Sequence, residues 1–134
     1  MPPFIDTVIQ LTGLCKESRF LDLGCGIGQA VIQASLRTGC WSRGVDDMEP
    51  RVNLACNLLE QAELRRMHFG IRPEFPALDV KFHVGDMLGE GIVREWISVA
   101  DVIFINDLAF DEKCLYFLSM FINNLLTFSQ YVKP

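Results

Sequence analysis

The stretch Phe20-Leu-Asp-Leu-Gly-Cys-Gly-Ile-Gly-Gln-Ala30 constrains the chain more than any other. Phe20, Leu21 and Leu23 read as the end of a buried strand, and Gly24, Gly26 and Gly28 as the tight turn after it. Glycines spaced in this way suit a backbone that must turn with positive φ and let a ligand come close. Apolar residues at helical spacing begin at Gln29 or Ala30, so a helix opens there with unpaired N–H groups at its head. Asp22 sets a carboxylate at the same mouth. Strand, acid, spaced glycines and helix in this order predict a nucleotide-type loop. The bland alternative is an ordinary glycine-rich strand–helix turn.

Spacing chooses among such loops. A dinucleotide fingerprint, G-x-G-x-x-G, needs glycine at position 29, where Gln29 stands, and this disfavours an NAD-dependent dehydrogenase. The pattern present is Asp-x-Gly-x-Gly-x-Gly, from Asp22 to Gly28, which is similar to the first motif of S-adenosylmethionine (SAM)-dependent methyltransferases. The chemistry agrees. A pyrophosphate wants a helix dipole, whereas a sulfonium and an amino-acid end want carboxylates nearby.

The rest of the chain alternates helix and strand. Phe4, Ile5, Val8, Ile9 and Leu11 follow helical spacing after Pro2 and Pro3. The helix after the glycine turn ends near Gly39, and Cys40 to Val45 is a second strand. Met48 to His68 is the longest helix, with Pro50 in its first turn and Val52, Leu54, Cys56, Leu58 and Leu59 on one broad apolar face. Residues 71–79 hold two prolines and read as a surface loop. Val80, Phe82 and Val84 alternate with Lys81 and His83 as a third strand, which places the histidine outward. A short helical or irregular crossover with Trp96 spans Leu88 to Ala100, and Val102–Ile105 is a continuous apolar run of the kind buried in parallel sheets. A last helix is expected over 111–126, and Thr127 to Val132 begins a fifth strand. This order predicts an α/β, Rossmann-like fold: a mostly parallel sheet with helices on both faces, incomplete at its C-terminal end, in a single domain of residues 1–134.

Such sheets bind ligands outside the carboxyl ends of their strands. Asp22 and the glycines follow the first strand, Asp46 and Asp47 the second, Asp86 the third, and Asn106 and Asp107 the fourth. Asp46 stands where a carboxylate can accept from both hydroxyls of a ribose. A helix N-cap is the competing role, and Asp47 suits it better. Asp86 can accept from an adenine amino group, or serve as a turn aspartate. His68, His83, Trp96 and the phenylalanine-rich last helix read as surface or core rather than as catalytic groups.

Composition removes several classes. A net charge of −5 argues against a free-standing DNA-binding module. The five cysteines show no C-x-x-C pair and no metal spacing, so they read as reduced thiols of an intracellular protein, and no metal is expected. Cys25, near a helix N-terminus, is placed where a thiolate would be favoured, or is simply a small turn residue. No charged segment leads into an apolar one as in a signal peptide, and the stretch Cys114 to Phe128 is too short and too polar to span a membrane.

Three stretches carry a more specific resemblance: Asp22-Leu-Gly-Cys-Gly-Ile-Gly-Gln-Ala-Val-Ile-Gln33, Gly85-Asp86-Met-Leu, and above all Val102-Ile-Phe-Ile-Asn106-Asp-Leu-Ala-Phe110. Together they resemble the catalytic domain of the disruptor-of-telomeric-silencing family, the histone lysine methyltransferases without a SET domain. The likeness covers about residues 1–122. It implies SAM as cofactor, histone H3 in nucleosomes as partner, methylation of a lysine on the H3 core, and a nuclear location. Carried over by position, Gly24, Gly26, Gly28 and Gln29 shape the SAM loop. Asp46 takes the place of a ribose-binding glutamate, Asp86 meets adenine, and Asn106 lies beside the methionine moiety and the reacting methyl.

The chain also departs from the family. Asp107 stands where a second asparagine is usual, and Met87 where an aromatic residue stacks on adenine. A closing loop before the first strand and further strands after the last helix are expected in the family and absent from these residues, so weak activity is expected of residues 1–134 alone. Two rivals share the SAM residues: a methyltransferase acting on a small molecule or another protein, and a SAM-binding module without activity.

Overall fold

The computed structural model describes residues 4–74, 77–87, 89 and 91–105, and the backbone of 126–127. The elements follow in the order α1 (Phe4–Thr12), β1 (Arg19–Leu23), α2 (Gln29–Thr38), β2 (Trp41–Asp46), α3 (Glu49–Phe69), β3 (Val80–Val84), α4 (Ile92–Val99), β4 (Val102–Ile105) and β5 (Leu126–Thr127). The five strands form one sheet in the order β3-β2-β1-β4-β5, and every neighbouring pair is parallel. The α/β parallel architecture expected from the alternation is the one adopted. Strand β5 begins at Leu126, one residue earlier than expected. Of the helix expected over 111–126, residues 111–125 lie outside the described residues, and residue 126 already belongs to β5.

Side-chain alternation along β1 divides the core. Phe20 pairs with Val102 and packs with Ile5, Val8, Val31, Cys40 and Val80 under α1, α2 and α3. Leu21 and Leu23 pair with Ile103 and Ile105 and turn to the other face, where Val93, Trp96 and Ile97 of α4 cover them. Phe20, Leu21, Leu23 and Ile103 are fully buried, each contributing about 1.5–3 kcal/mol through burial. The hydroxyl of Ser42 donates to the Val31 carbonyl at 2.7 Å and ties β2 to α2 across this core.

Helix α3 corrects one expectation. Val52 and Ala55 are its buried apolar residues, with Leu58, Leu59 and Ala62 half-buried against the core, whereas Leu54 and Cys56 face solvent. The packed stripe keeps Val52, Leu58 and Leu59 of the expected face but takes Ala55 and Ala62 in place of Leu54 and Cys56. Alanine, small enough to sit directly on the sheet, sets the line of contact. Near the end of α3, buried Arg66 is held by Glu63 at 2.9 Å and donates to the Arg72 carbonyl, which anchors the start of the following loop.

From β1 the chain steps outward to β2 and β3, then crosses back and sets β4 on the other side of β1. The carboxyl ends of β1 and β4 therefore flank the reversal point of the sheet, where a crevice opens.

Candidate functional site

The glycine turn is built by hydrogen bonds to the end of β2. The N–H groups of Gly24 and Cys25 both donate to the Val45 carbonyl, at 2.7 and 2.9 Å, and that of Gly28 to the Cys25 carbonyl at 3.0 Å. Gly24, Gly26 and Gly28 have φ of 81°, 58° and 83°, a conformation that L side chains rarely adopt. Two of these glycines differ in what surrounds them. A Cβ on Gly28 would lie 2.5 Å from the Phe82 ring, whereas a Cβ on Gly26 would meet nothing within 4 Å. Gly28 packs against the core; Gly26 faces open space.

Two carboxylates stand near the turn, and they are bonded differently. Asp46 accepts the Gly26 N–H through Oδ2 and the Met48 N–H through Oδ1, both at 2.9 Å. Arg51 of α3 stands 3.8 Å from Oδ2. Helix α3 has no side-chain cap on its own first turn, so the N-cap role expected of Asp47 is not filled by it. It is Asp46 that receives the backbone donor ahead of that helix. Asp22 is equally buried, but its Oδ1 finds no hydrogen-bond partner among the described residues. Burial, and then the neighbouring charge of Asp46, push the Asp22 carboxyl up to about 8.

Asp22 lies on the wall of a cavity of about 450 Å³, in the range of small-molecule sites. Gly24 and Gln29 share that wall. Gln33, one helical turn beyond Gln29, and the aromatic pair Phe4 and Phe104 complete it. The two rings lie 5.1 Å apart at 54°. Phe104 pairs in register with Asp22, so both project from the same face of the sheet. None of these three residues was singled out from the sequence. The Gln29–Gln33 spacing carried a signal; the unbroken apolar run around Phe104 hid its alternation.

The remaining expected residues fall at different depths. Gly26 and Asp46 are joined by their hydrogen bond beside the cavity. Asp86 follows β3 at an exposed position, and the adjoining Gly85 N–H donates to the Asp46 carbonyl at 3.0 Å. Met87 is half-buried against the α4-side core. Asn106 and Asp107 lie outside the described residues. Of the two readings of Cys25, the thiolate is the one disfavoured: burial, with the charges of Asp22 and Asp46, pushes its thiol up, which leaves a small turn residue. His83 is half-buried with its ring edge-on to Trp96 at 6.1 Å, not turned out to solvent.

Chemically, this is a cavity with a buried acid whose Oδ1 lacks a partner among the described residues, next to a glycine turn that is open at Gly26 and held by a second carboxylate fixed by backbone donors. A buried acid of this kind is completed by a cationic or donor group of a ligand. The orphaned Asp22 oxygen and the open space over Gly26 fit a compact organic cation carrying a sugar.

Comparisons with known proteins extend the description. The family model described as "Histone methylation protein DOT1" matches residues 1–130. The chain is 36% identical over 124 residues to the "Histone-lysine N-methyltransferase, H3 lysine-79 specific" of Yarrowia lipolytica, covering 92% of this chain and 24% of that protein. It is 38% identical over 129 residues to the protein of the same name from Emericella nidulans, covering 90% of this chain and 24% of that protein. The chain thus spans about a quarter of these curated relatives. Among solved structures, it superposes on a SAM-dependent methyltransferase from Geobacter sulfurreducens in complex with S-adenosyl-L-homocysteine. The TM-score is 0.58 at 20% identity, over 92% of this chain and 45% of that one. An RNA methyltransferase from Salinibacter ruber, also in complex with S-adenosyl-L-homocysteine, gives 0.58 at 24% identity over 78% and 59%. The fold is that of the SAM-dependent methyltransferases.

Proposed function

Because the chain belongs to the DOT1 family of histone methylation proteins, we propose that it is the cofactor-binding part of a histone lysine methyltransferase. In this reading it binds SAM and serves methyl transfer to a lysine of the histone H3 core in nucleosomes, in the nucleus. The observation that carries the reading is the buried Asp22 oxygen without a partner, on the cavity beside the glycine turn. Bound there, SAM would supply a methyl group activated by a positively charged sulfur.

The roles assigned to the residues follow. Asp22 gives up its proton and meets the ammonium of the amino-acid end. Asp46 accepts from the ribose hydroxyls with the lone pairs left over from Gly26 and Met48. Gly24, Gly26, Gly28 and Gln29 shape the loop, with Gly26 leaving the room the cofactor needs. Asp86 and Met87 take the adenine. Asn106, following β4, takes the place beside the reacting methyl. Alignment and exclusion of water do most of the work in such a transfer. The substrate lysine must be neutral to react, and burial of its amine lowers its pKa.

The test has two stages. Titration calorimetry with SAM and S-adenosyl-L-homocysteine should show binding by the chain and its loss in Asp22→Ala; a folded chain that binds neither would sink the reading. Labelled SAM is then supplied with nucleosomes, with free histones, and with nucleosomes whose H3 lysine-79 is replaced by arginine. Label on wild-type nucleosomal H3 alone is expected. Label elsewhere points to another substrate, and binding without transfer by a chain extended at both ends points to a non-catalytic module.

A further inference from the structure

A second cavity lies on the α4 face of the sheet, at the opposite end of the strands from the glycine turn. It measures about 330 Å³, and its sheet side is made by Arg19, Trp41, Arg43 and Lys81, with Trp96 of α4 facing them. Register explains the cluster. Arg19 pairs with Trp41, and Arg43 with Lys81, so these side chains share the face that Leu21 presents to α4.

Arg43 is the fixed point. It is 6% exposed, donates to the Ser42 and Asp79 carbonyls at 3.0 and 2.9 Å, and pairs with the Asp79 carboxylate at 3.0 Å. Its guanidinium lies 4.3 Å from the Trp41 ring centre and 5.9 Å from that of Trp96, and its Nε finds no partner among the described residues. Arg19 and Lys81 are exposed, and neither forms an ion pair among the described residues. Three cations thus gather at one cavity of a chain whose net charge is −5.

We propose that this cavity docks an acidic segment of a partner protein. Carboxylate side chains meet Arg19 and Lys81, and a neighbouring apolar side chain covers Trp41 and the partly exposed Ile92 and Val99 of α4. The lining decides against nucleic acid. A phosphate backbone is gripped by many cations, whereas here three cations stand among two indoles and two aliphatic side chains, with Glu95 also on the wall. Charge next to apolar surface suits a segment that alternates acidic and apolar residues.

Both tryptophans of the chain line this cavity, so intrinsic fluorescence reports on it directly. The probe is a blocked hexapeptide of glutamate and leucine, titrated into the whole chain beside a glutamine-for-glutamate version and a short DNA duplex. A saturable fluorescence change is expected with the acidic peptide alone. Arg19→Glu and Lys81→Glu should each weaken it by about tenfold or more. Both side chains are exposed, and the Arg19 backbone keeps its own hydrogen bonds to Asp101. An unchanged circular-dichroism spectrum and melting temperature would confirm that the variants fold, with Arg19→Gln and Lys81→Gln as milder replacements. No change with the acidic peptide, equal binding of the glutamine peptide, equal binding by the variants, or binding of the duplex instead would each overturn the proposal.

Discussion

The ends of β1 and β2 carry the same chemical group at the same depth, and the protein treats the two in opposite ways. Asp22 and Asp46 are each 3% exposed. Asp46 is surrounded by donors: the N–H of the glycine turn on one oxygen and the N–H ahead of α3 on the other. Asp22, on the neighbouring strand, keeps an oxygen with no donor among the described residues, and burial, followed by the charge of Asp46, pushes it up to about 8. Burial therefore does not by itself tell how a carboxylate is bonded. What separates the two is whether the fold supplies a donor to each oxygen or leaves one without a partner among the described residues.

The strongest way to break this contrast is Asp46→Ala. Two backbone donors lose their acceptor together, which should destabilise the chain by about 2–5 kcal/mol and weaken SAM and S-adenosyl-L-homocysteine alike. Urea unfolding and calorimetry measure the two effects. A loss of affinity with no loss of stability would show that Asp46 serves the ligand alone.

Asp22→Asn should do the reverse. It removes the cost of ionising a buried acid, so the ligand-free chain should gain stability at pH 8 or above, by an amount of the order of a few kcal/mol. SAM affinity should fall by about 1.5–3 kcal/mol, because a charged partner of its ammonium is gone. A variant both less stable and unchanged in affinity would make Asp22 a second scaffold residue.

The pH dependence of the wild-type chain gives a finer reading. Between 3.8 and about 8 the folded chain keeps a proton on Asp22 that the unfolded chain has released. This contribution to stability is complete below that window, declines as pH rises through it and levels off above it. SAM affinity should move the other way, being weaker at pH 6 than at pH 8 by up to about tenfold per unit. Chemical denaturation and calorimetry across this range, repeated on Asp22→Asn, isolate the part due to this one group.

The smallest effect should come from Arg51→Ala. Arg51 is 55% exposed and 3.8 Å from Asp46, so its loss should change stability by less than about 1 kcal/mol. A larger effect would mean that Asp46 is held by an ion pair rather than by the backbone.

Local features of this arrangement were legible in the sequence, and those that depend on contact between distant segments were not. The glycine turn, its strand and its helix announce themselves because the three signals lie within eleven consecutive residues, from Phe20 to Ala30. The acids at the strand ends were visible for the same reason, and β5 starts one residue earlier than expected. The division of labour between Asp22 and Asp46 was not visible, since it depends on which carboxylate meets the Gly26 N–H across the turn. Phe4 at the start of α1 meets Phe104 of β4, a contact between distant segments that no periodicity encodes. On α3 Leu54 and Cys56 misled, because they stay exposed while Val52 and Ala55 take the sheet. Arg43 is buried through the stack of Trp41 and the carbonyls of Ser42 and Asp79, and an arginine inside a strand gives no sign of that.

The hydrogen bonds that run sideways between the strand ends have a consequence for time as well as for shape. Gly24 and Cys25 are fastened to Val45, Gly26 to the Asp46 side chain and Gly85 to the Asp46 carbonyl, so the first three strand ends are laced together outside the ladder. Their amide protons can exchange with solvent only when that lacing opens. Ordering of the turn is thus completed when the chain folds, and a ligand arriving at the cavity meets a surface already set. Association there should approach the rate of encounter, without a slow rearrangement of the turn before capture.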